Sequence, residues 1–230
     1  DTETVRVDEQ AASGVALIMV DEQGENMISV ASGANARLDA QDVRAARDAI
    51  AGADVLLVQL EIPLQAVEAA LRIAREAGVR VMLNPAPAPA DPQALRALLP
   101  MVDYLVPNAG EAATLAASHD KAPRTLAAKL AENAGCTVIM TLGPDGACIC
   151  EAGECRTVSA PSVRAVDTVG AGDCFCGALA VALAEGRDLE AAVRFAVHAA
   201  ALSVQSEGAQ PAMPDREAIT RSLTENLPRG

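Results

Sequence analysis

Apolar and polar positions change rhythm several times along this 230-residue chain. Residues 14–33, GVALIMVDEQGENMISVASG, hold two short, partly polar runs joined by a turn containing Asp21 and Gly24, which predicts an exposed β-flap. After Asn35 the period lengthens. LDAQDVRAARDAIAGA reads as a helix with Asp39 as its N-cap. VLLVQL (55–60) is a continuous apolar run, the signature of a strand buried on both faces with neighbours on both sides. Leu64, Val67, Leu71 and Ala74 then recur at helical spacing, with Gly78 as the stop. VRVML (79–83) is a further strand and runs into NPAPAPADP, a proline-rich loop. The alternation continues with helical patterns at 93–99, 110–117 and 123–134 and strands at 102–106 and 136–142. GACIC and RTVSA read as shorter strands, and 173–186 and 188–205 as long helices. Strands alternating with helices predict an α/β fold, a three-layer αβα arrangement around a central, mostly parallel sheet. Residues 1–35 form the flap and its connection, and residues 36–230 the body.

Composition narrows the picture. Hydrophobic residues make up 51% of the chain and aromatics 1%, so the core must be built from Ala, Val, Leu and Ile. No apolar run reaches ~18 residues, and no membrane span is expected. The acidic, polar start DTETVRVDEQ does not read as an export signal, and the absence of an initial Met suits a fragment or a processed form. A net charge of −13 argues against nucleic acid as a partner, because phosphate backbones need a basic face. It leaves open a nucleotide held by local donors and a metal. The six cysteines, 136, 148, 150, 155, 174 and 176, form no C-x-x-C, and only His119 and His198 offer imidazoles. They read as reduced, buried thiols of a cytoplasmic protein rather than as a zinc site.

Ligands of parallel α/β sheets sit beyond the carboxyl ends of the strands. Three such ends carry polar groups: Glu61; Asn108 with Glu111 in N-x-x-E; and Thr141-Leu142-Gly143-Pro144-Asp145-Gly146. Each also suits a humbler role: a strand-end residue facing water, a helix cap and an ordinary turn, respectively. The sharper signal is VDTVGAGDCFCGALA (166–180), in which Gly170, Ala171 and Gly172 lead into an apolar helix. Consecutive backbone N–H groups at a helix start make an anion hole. No G-K-[ST] occurs and the only lysines are Lys121 and Lys129, which excludes a P-loop. A carboxylate at the rim of that hole, Asp173, suits a base that takes a proton from an attacking hydroxyl. It equally suits an acidic residue favoured in a first helical turn.

The same stretch resembles D-T-x-G-A-G-D, a signature of the ribokinase (PfkB) carbohydrate kinases. GAN at 33–35, VQLEIPL, LNPAPA, VPNAGEAATL, TLGPDGA and EGAQPAMP are also similar to that family, so the resemblance runs along nearly the whole chain. LNPAPA and GAQP favour its ribose-phosphorylating branch over fructokinase-type relatives. The resemblance implies ATP and D-ribose as substrates and ribose 5-phosphate as product. It makes Asp173 the catalytic base and Gly170, Ala171 and Gly172 the anion hole, and it places Glu61 at the sugar beside Asp173. Asn108, residues 141–146 and Gly172 match ATP-binding positions, with Val197 or His198 against the adenine. Glu111 is implicated in placing Mg²⁺, indirectly. Asp167, Val169, Ser203, Ser206, Gly208 and Ala212 match a K⁺ site, several of them through backbone carbonyls. A homodimer joined through the flap is implied as well. A kinase for another sugar or a nucleoside, or an inactive binding remnant, are the competing expectations. The family's opening strand and its sugar-binding segment G-x-N-x-D have no counterpart before Asp1. The expectation is therefore a chain lacking that part, with an unprotected sheet edge and poor solubility, and without activity on its own.

Overall fold

The computed structural model describes residues 2–20, 26–89, 91–118 and 122–225. Strands β1 (Val15–Val20) and β2 (Asn26–Ala31) pair antiparallel as a separate two-stranded sheet, with Val15 opposite Ala31 and Val20 opposite Asn26. The flap is thus present, while the turn with Asp21 and Gly24, like His119 and Lys121, lies outside the described residues. Helices α1 (Ala40–Ala45) and α2 (Arg47–Ala51) follow. The Asp39 side chain accepts from the Gln41 and Asp42 amides, and Asp42 returns a bond to the Asp39 amide, a reciprocal cap that fixes where α1 begins.

The body is a six-stranded sheet in the order β3 (Val55–Val58), β4 (Arg80–Leu83), β5 (Tyr104–Leu105), β6 (Thr137–Thr141), β7 (Ala147–Glu151), β8 (Glu154–Val158). The first four strands run parallel; β7 and β8 return antiparallel. The β7–β8 hairpin closes through Ala152 and Gly153, both at positive φ, the two-residue turn that matches strand twist. Helices α3 (Leu64–Ala77), α4 (Pro92–Arg96), α5 (Ala109–Ala116) and α6 (Pro123–Ala134) connect the parallel strands. Helices α7 (Ala171–Ala184), α8 (Leu189–Ser203) and α9 (Arg216–Glu225) follow the hairpin.

The strand period of two sorts the core into two layers. Val81, Leu83, Val138, Met140, Cys148 and Cys150 pack with Leu71, Leu115, Leu126 and Leu130 on one face. Met82, Ile139, Ala147 and Ile149 pack with Phe175, Leu179, Val193 and Phe195 on the other. Alanines 70, 74, 127, 182 and 196 let the helices approach closely where aromatics are scarce. No helix among the described residues is long and apolar enough to cross a membrane.

Four features differ from the reading of the sequence. The single helix read over LDAQDVRAARDAIAGA is two, α1 and α2, broken at Ala46, whose backbone leaves the helical conformation. The run 55–58 is not flanked on both sides: among the described residues β3 pairs with β4 alone, and Leu57 is 37% exposed, an open edge of the kind expected for a chain without the family's opening strand. An apolar run records what touches a strand's faces and says nothing about which edge is paired. Cys150 and Cys155 are not free thiols but a disulfide, because hairpin register sets them opposite one another with Cα atoms 4.2 Å apart. Helix α9 went unread because REAITRSLTE carries few apolar positions, and it buries little beyond Ile219 and Ser222.

Candidate active site

Polar residues end each parallel strand on the carboxyl side of the sheet, and the start of α7 faces them. Gln59 follows β3 and Asn84 follows β4. The Gln59 Nε2 donates to Asp173 Oδ1 at 3.0 Å and lies 3.2 Å from Asn84 Oδ1. Asn84 in turn donates through Nδ2 to the Val106 carbonyl at 2.7 Å. This relay joins the ends of β3, β4 and β5 to the first turn of α7 and holds the Asp173 carboxylate across a separation of 114 residues. Neither Gln59 nor Asn84 was singled out from the sequence. The available signal was their position, the first polar residue after a buried apolar strand.

Asp173 stands in the first turn of α7, where a carboxylate meets the positive end of the helix. Gly170 precedes that helix at φ 77°, and a Cβ there would lie 3.0 Å from the Ala209 Cβ. Glycine is therefore required both by conformation and by the close approach of the 209 segment. A Cβ on Gly172 would point into open space. First-turn amides have no carbonyl partner within their own helix; the Ala171 amide donates to the Thr168 carbonyl of the loop before it, and the Gly172 amide stands beside a cavity.

That cavity, about 570 Å³, is lined by Gly143, Pro144, Gly146, Phe175 and Val197 and reaches Ala171 and Gly172. Thr141 closes it at the end of β6, with Asn108 bridged to Thr141 alongside. Gly146 sits at φ 95°, and a Cβ there would meet the Val158 carbonyl oxygen at 2.0 Å. The 141–146 turn is thus pressed against the end of β8 and forms one wall of the cavity. Leu142 and Asp145 belong to the same turn: the Leu142 amide donates to the Gly146 carbonyl and the Asp145 amide to the Leu142 carbonyl. Of the two neighbours on α8, Val197 lines the cavity. His198 points elsewhere; it is 5% exposed, and its Nδ1 is 2.8 Å from Ser222 Oγ of α9. Burial holds the His198 imidazole below its ordinary value.

Asn108 and Glu111 form a reciprocal cap of α5. Asn108 Oδ1 accepts from the Glu111 amide, and Glu111 Oε2 accepts from the Asn108 amide, each at 2.8 Å. Burial raises the Glu111 carboxyl, with the Asn108 amide opposing. Glu61 is exposed in the turn after β3. On the far side of the glycine loop, the Asp167 carboxylate accepts from the Val169 amide at 3.0 Å and the Gly208 amide at 2.8 Å, which holds it below the usual range. These bonds staple loop 167–170 to loop 206–212. The buried Ser203 lies below, its hydroxyl donating to the Ala200 carbonyl. Ser206 and Ala212 lie on the second loop, Ala212 in a short 3₁₀ turn.

The structure therefore gathers Thr141, Gly143, Pro144, Gly146, Gly172 and Val197 around one cleft, with Asn108 bridged to Thr141 and Asp173 next to Gly172 on α7. It places the 167–212 staple behind the glycine loop and His198 outside the cleft.

The chain is similar to known proteins along most of its length. The chain is 40% identical over 221 residues to a ribokinase of Haemophilus influenzae, covering 94% of this chain and 71% of that protein. It is 42% identical over 223 residues to a ribokinase of Schizosaccharomyces pombe, covering 93% and 69%. The solved structure of Arabidopsis thaliana ribokinase complexed with ribose and ATP superposes with a TM-score of 0.80 at 32% identity, over 93% of this chain and 70% of that one. The model of the family described as pfkB family carbohydrate kinase matches residues 1–216. With that match spanning the strand ends, the glycine loop and the cleft between them, the chain belongs to the pfkB family of carbohydrate kinases.

Proposed function

We propose that this protein is a cytoplasmic ribokinase, transferring the γ-phosphoryl group of ATP to O5 of D-ribose. The observation that carries this reading is the Asp173 carboxylate, held by Gln59 beside a helix start that opens on a nucleotide-sized cleft. Asp173 takes the proton of the sugar hydroxyl as that oxygen attacks phosphorus. The bond from phosphorus to the bridging β,γ oxygen breaks, and ADP leaves with that oxygen. Amides of the Gly170–Gly172 turn stabilise the charge that spreads over the transferring group. The adenosine moiety lies along the 141–146 turn and Val197, and Glu61 faces the sugar. Residues 36–230 are the catalytic body and residues 1–35 the lid.

Two cations fit the residues present. Glu111 keeps Oε1 outside its capping bond, so it can hold a water of a Mg²⁺ shell, and Mg²⁺ when bound offsets phosphate charge. Both carboxylate oxygens of Asp167 are engaged by amides, so K⁺ would rest on main-chain carbonyls of the 167–169 and 203–212 loops that Asp167 ties together. A coupled assay of ADP release tests the reading. Ribose should be turned over well ahead of fructose and adenosine, and K⁺ should activate more than Na⁺ at equal ionic strength. Preference for adenosine or fructose would assign a different acceptor, and absence of turnover with every acceptor would remove the kinase reading.

A further inference from the structure

The segment CICEAGEC, on the hairpin beyond the cleft, places three sulfurs together. Cys148 and Cys150 are two residues apart on β7 and so point to the same face, toward α6. Cys155 on β8 is the register partner of Cys150. The three sulfurs lie within 4.8 Å of one another, and Cys148 Sγ is 3.8 Å from Cys150 Sγ. Two thiolates on one ion at ~2.3 Å stand ~3.8–4.0 Å apart. The β-ladder alone thus sets the Cys148–Cys150 pair at a ligand edge.

We propose that Cys148, Cys150 and Cys155, in their thiol form, bind one Cu(I) ion in a trigonal three-thiolate site. Donor type selects a soft ion. Donor number selects three-coordination, since among the described residues no imidazole or carboxylate joins the cluster. A tetrahedral Zn²⁺ site would need a fourth ligand. Arg124 at the start of α6 supplies compensating charge: its guanidinium donates to the Cys155 carbonyl, and the Cys155 sulfur lies 3.9 Å from the Arg124 carbonyl. Burial raises the Cys148 thiol while Arg124 pulls it down. A depression of about 500 Å³ lined by Arg124, Thr125, Gly153 and Glu154 opens on Cys155, giving an ion a way in.

The Cys150–Cys155 disulfide closes the site. Opening it takes two electrons and two protons from a dithiol, which leaves as its own disulfide. Each of the three thiols then releases its proton to solvent as copper binds. The remaining cysteines are different in kind: Cys136, Cys174 and Cys176 stand apart, and burial pushes the Cys176 thiol up to about 12.

The test uses the whole protein, reduced with dithiothreitol, desalted under argon and titrated with Cu(I) against bathocuproine disulfonate. One equivalent of Cu(I) should be retained per chain, with three sulfur neighbours in X-ray absorption. Protein with the disulfide intact should retain none. Because Cys148 and Cys150 are core residues, the variant of choice is Cys155→Ala at the partly exposed position, which should lower retention at least ~10-fold, whereas Cys136→Ala should not. Failure to hold Cu(I) against the chelator overturns the proposal. So does equal retention by Cys155→Ala, or an absorption spectrum with fewer than three sulfurs or with nitrogen or oxygen neighbours. The spectrum of the unmutated protein decides the matter even where a variant folds poorly.

Discussion

At the scale of single residues, Asp173 carries a charge where a phosphate-binding turn would ordinarily avoid one. The helix start compensates it from behind and the Gln59 amide from the side, so a carboxylate can stand at the rim of the proposed anion hole. Asp173→Asn keeps the shape and an acceptor for Gln59 but loses basicity. Turnover should fall by ~10²–10⁴-fold while the melting temperature and ATP affinity hold. Wild-type turnover in that variant would reduce Asp173 to a helix-terminus residue. Gln59 acts through Asp173, so its signature is different. Gln59→Leu removes the donor that aims the carboxylate, and kcat should drop ~10–10²-fold with KM for ATP unchanged. An unaltered kcat would show that the relay through Gln59 and Asn84 has no part in the proposed transfer.

At the scale of elements, what the sequence made legible and what it did not divide along physical lines. Helix limits could be read because local chemistry sets them: Asp39 and Asn108 cap α1 and α5, and Gly78 and Gly135 take the left-handed conformation that ends α3 and α6. The glycine loop and the 141–146 turn could be read for the same reason. The contact of Gln59 with Asp173 and the facing of Cys150 and Cys155 depend on strand order and register, which no local pattern contains. The choice between Val197 and His198 depended on a helix, α9, too sparsely apolar to be recognised, and it is α9 that takes up His198 through Ser222. That α8–α9 contact predicts a pH response. The unfolded chain carries His198 at its ordinary 6.5, whereas burial lowers the value in the folded state, so the unfolded form binds more protons in acid. The stabilisation is fully present above pH 6.5 and is lost as pH falls from there through the lowered folded value. Melting followed from pH 7.5 to 5 should therefore show a downward slope that His198→Gln flattens. Identical slopes in the two proteins would mean that His198 is protonated freely in the folded state.

At the scale of the molecule, one well-filled body carries two surfaces left apolar. The edge of β3 exposes Leu57, and the flap exposes Val15, Leu17 and Met19 along one face and Val30 on the other. A two-stranded ribbon in water is marginally stable by itself. Val15, Leu17 and Met19 alternate along β1, so they form a single stripe rather than scattered exposures. Isolated apolar residues need no explanation, but an exposed stripe on a two-stranded ribbon asks for a partner surface. A second flap, with the same stripe and the same curvature, is self-complementary about a two-fold axis, the arrangement that closes without leading to fibres. The net charge of −13 opposes the association of two copies, so the gain has to come from an uncharged surface such as this stripe. We therefore expect a dimer whose mass by light scattering is twice that of the chain. Leu17→Asp would put a charge in the middle of the stripe. It should convert the dimer to monomer, with the body's cooperative unfolding retained because β1 and β2 form a sheet of their own. If the variant stays dimeric, the contact lies elsewhere, and the exposed edge of β3 becomes the surface to mutate next. If the unmutated protein is monomeric at micromolar concentration, the flap is a lid alone.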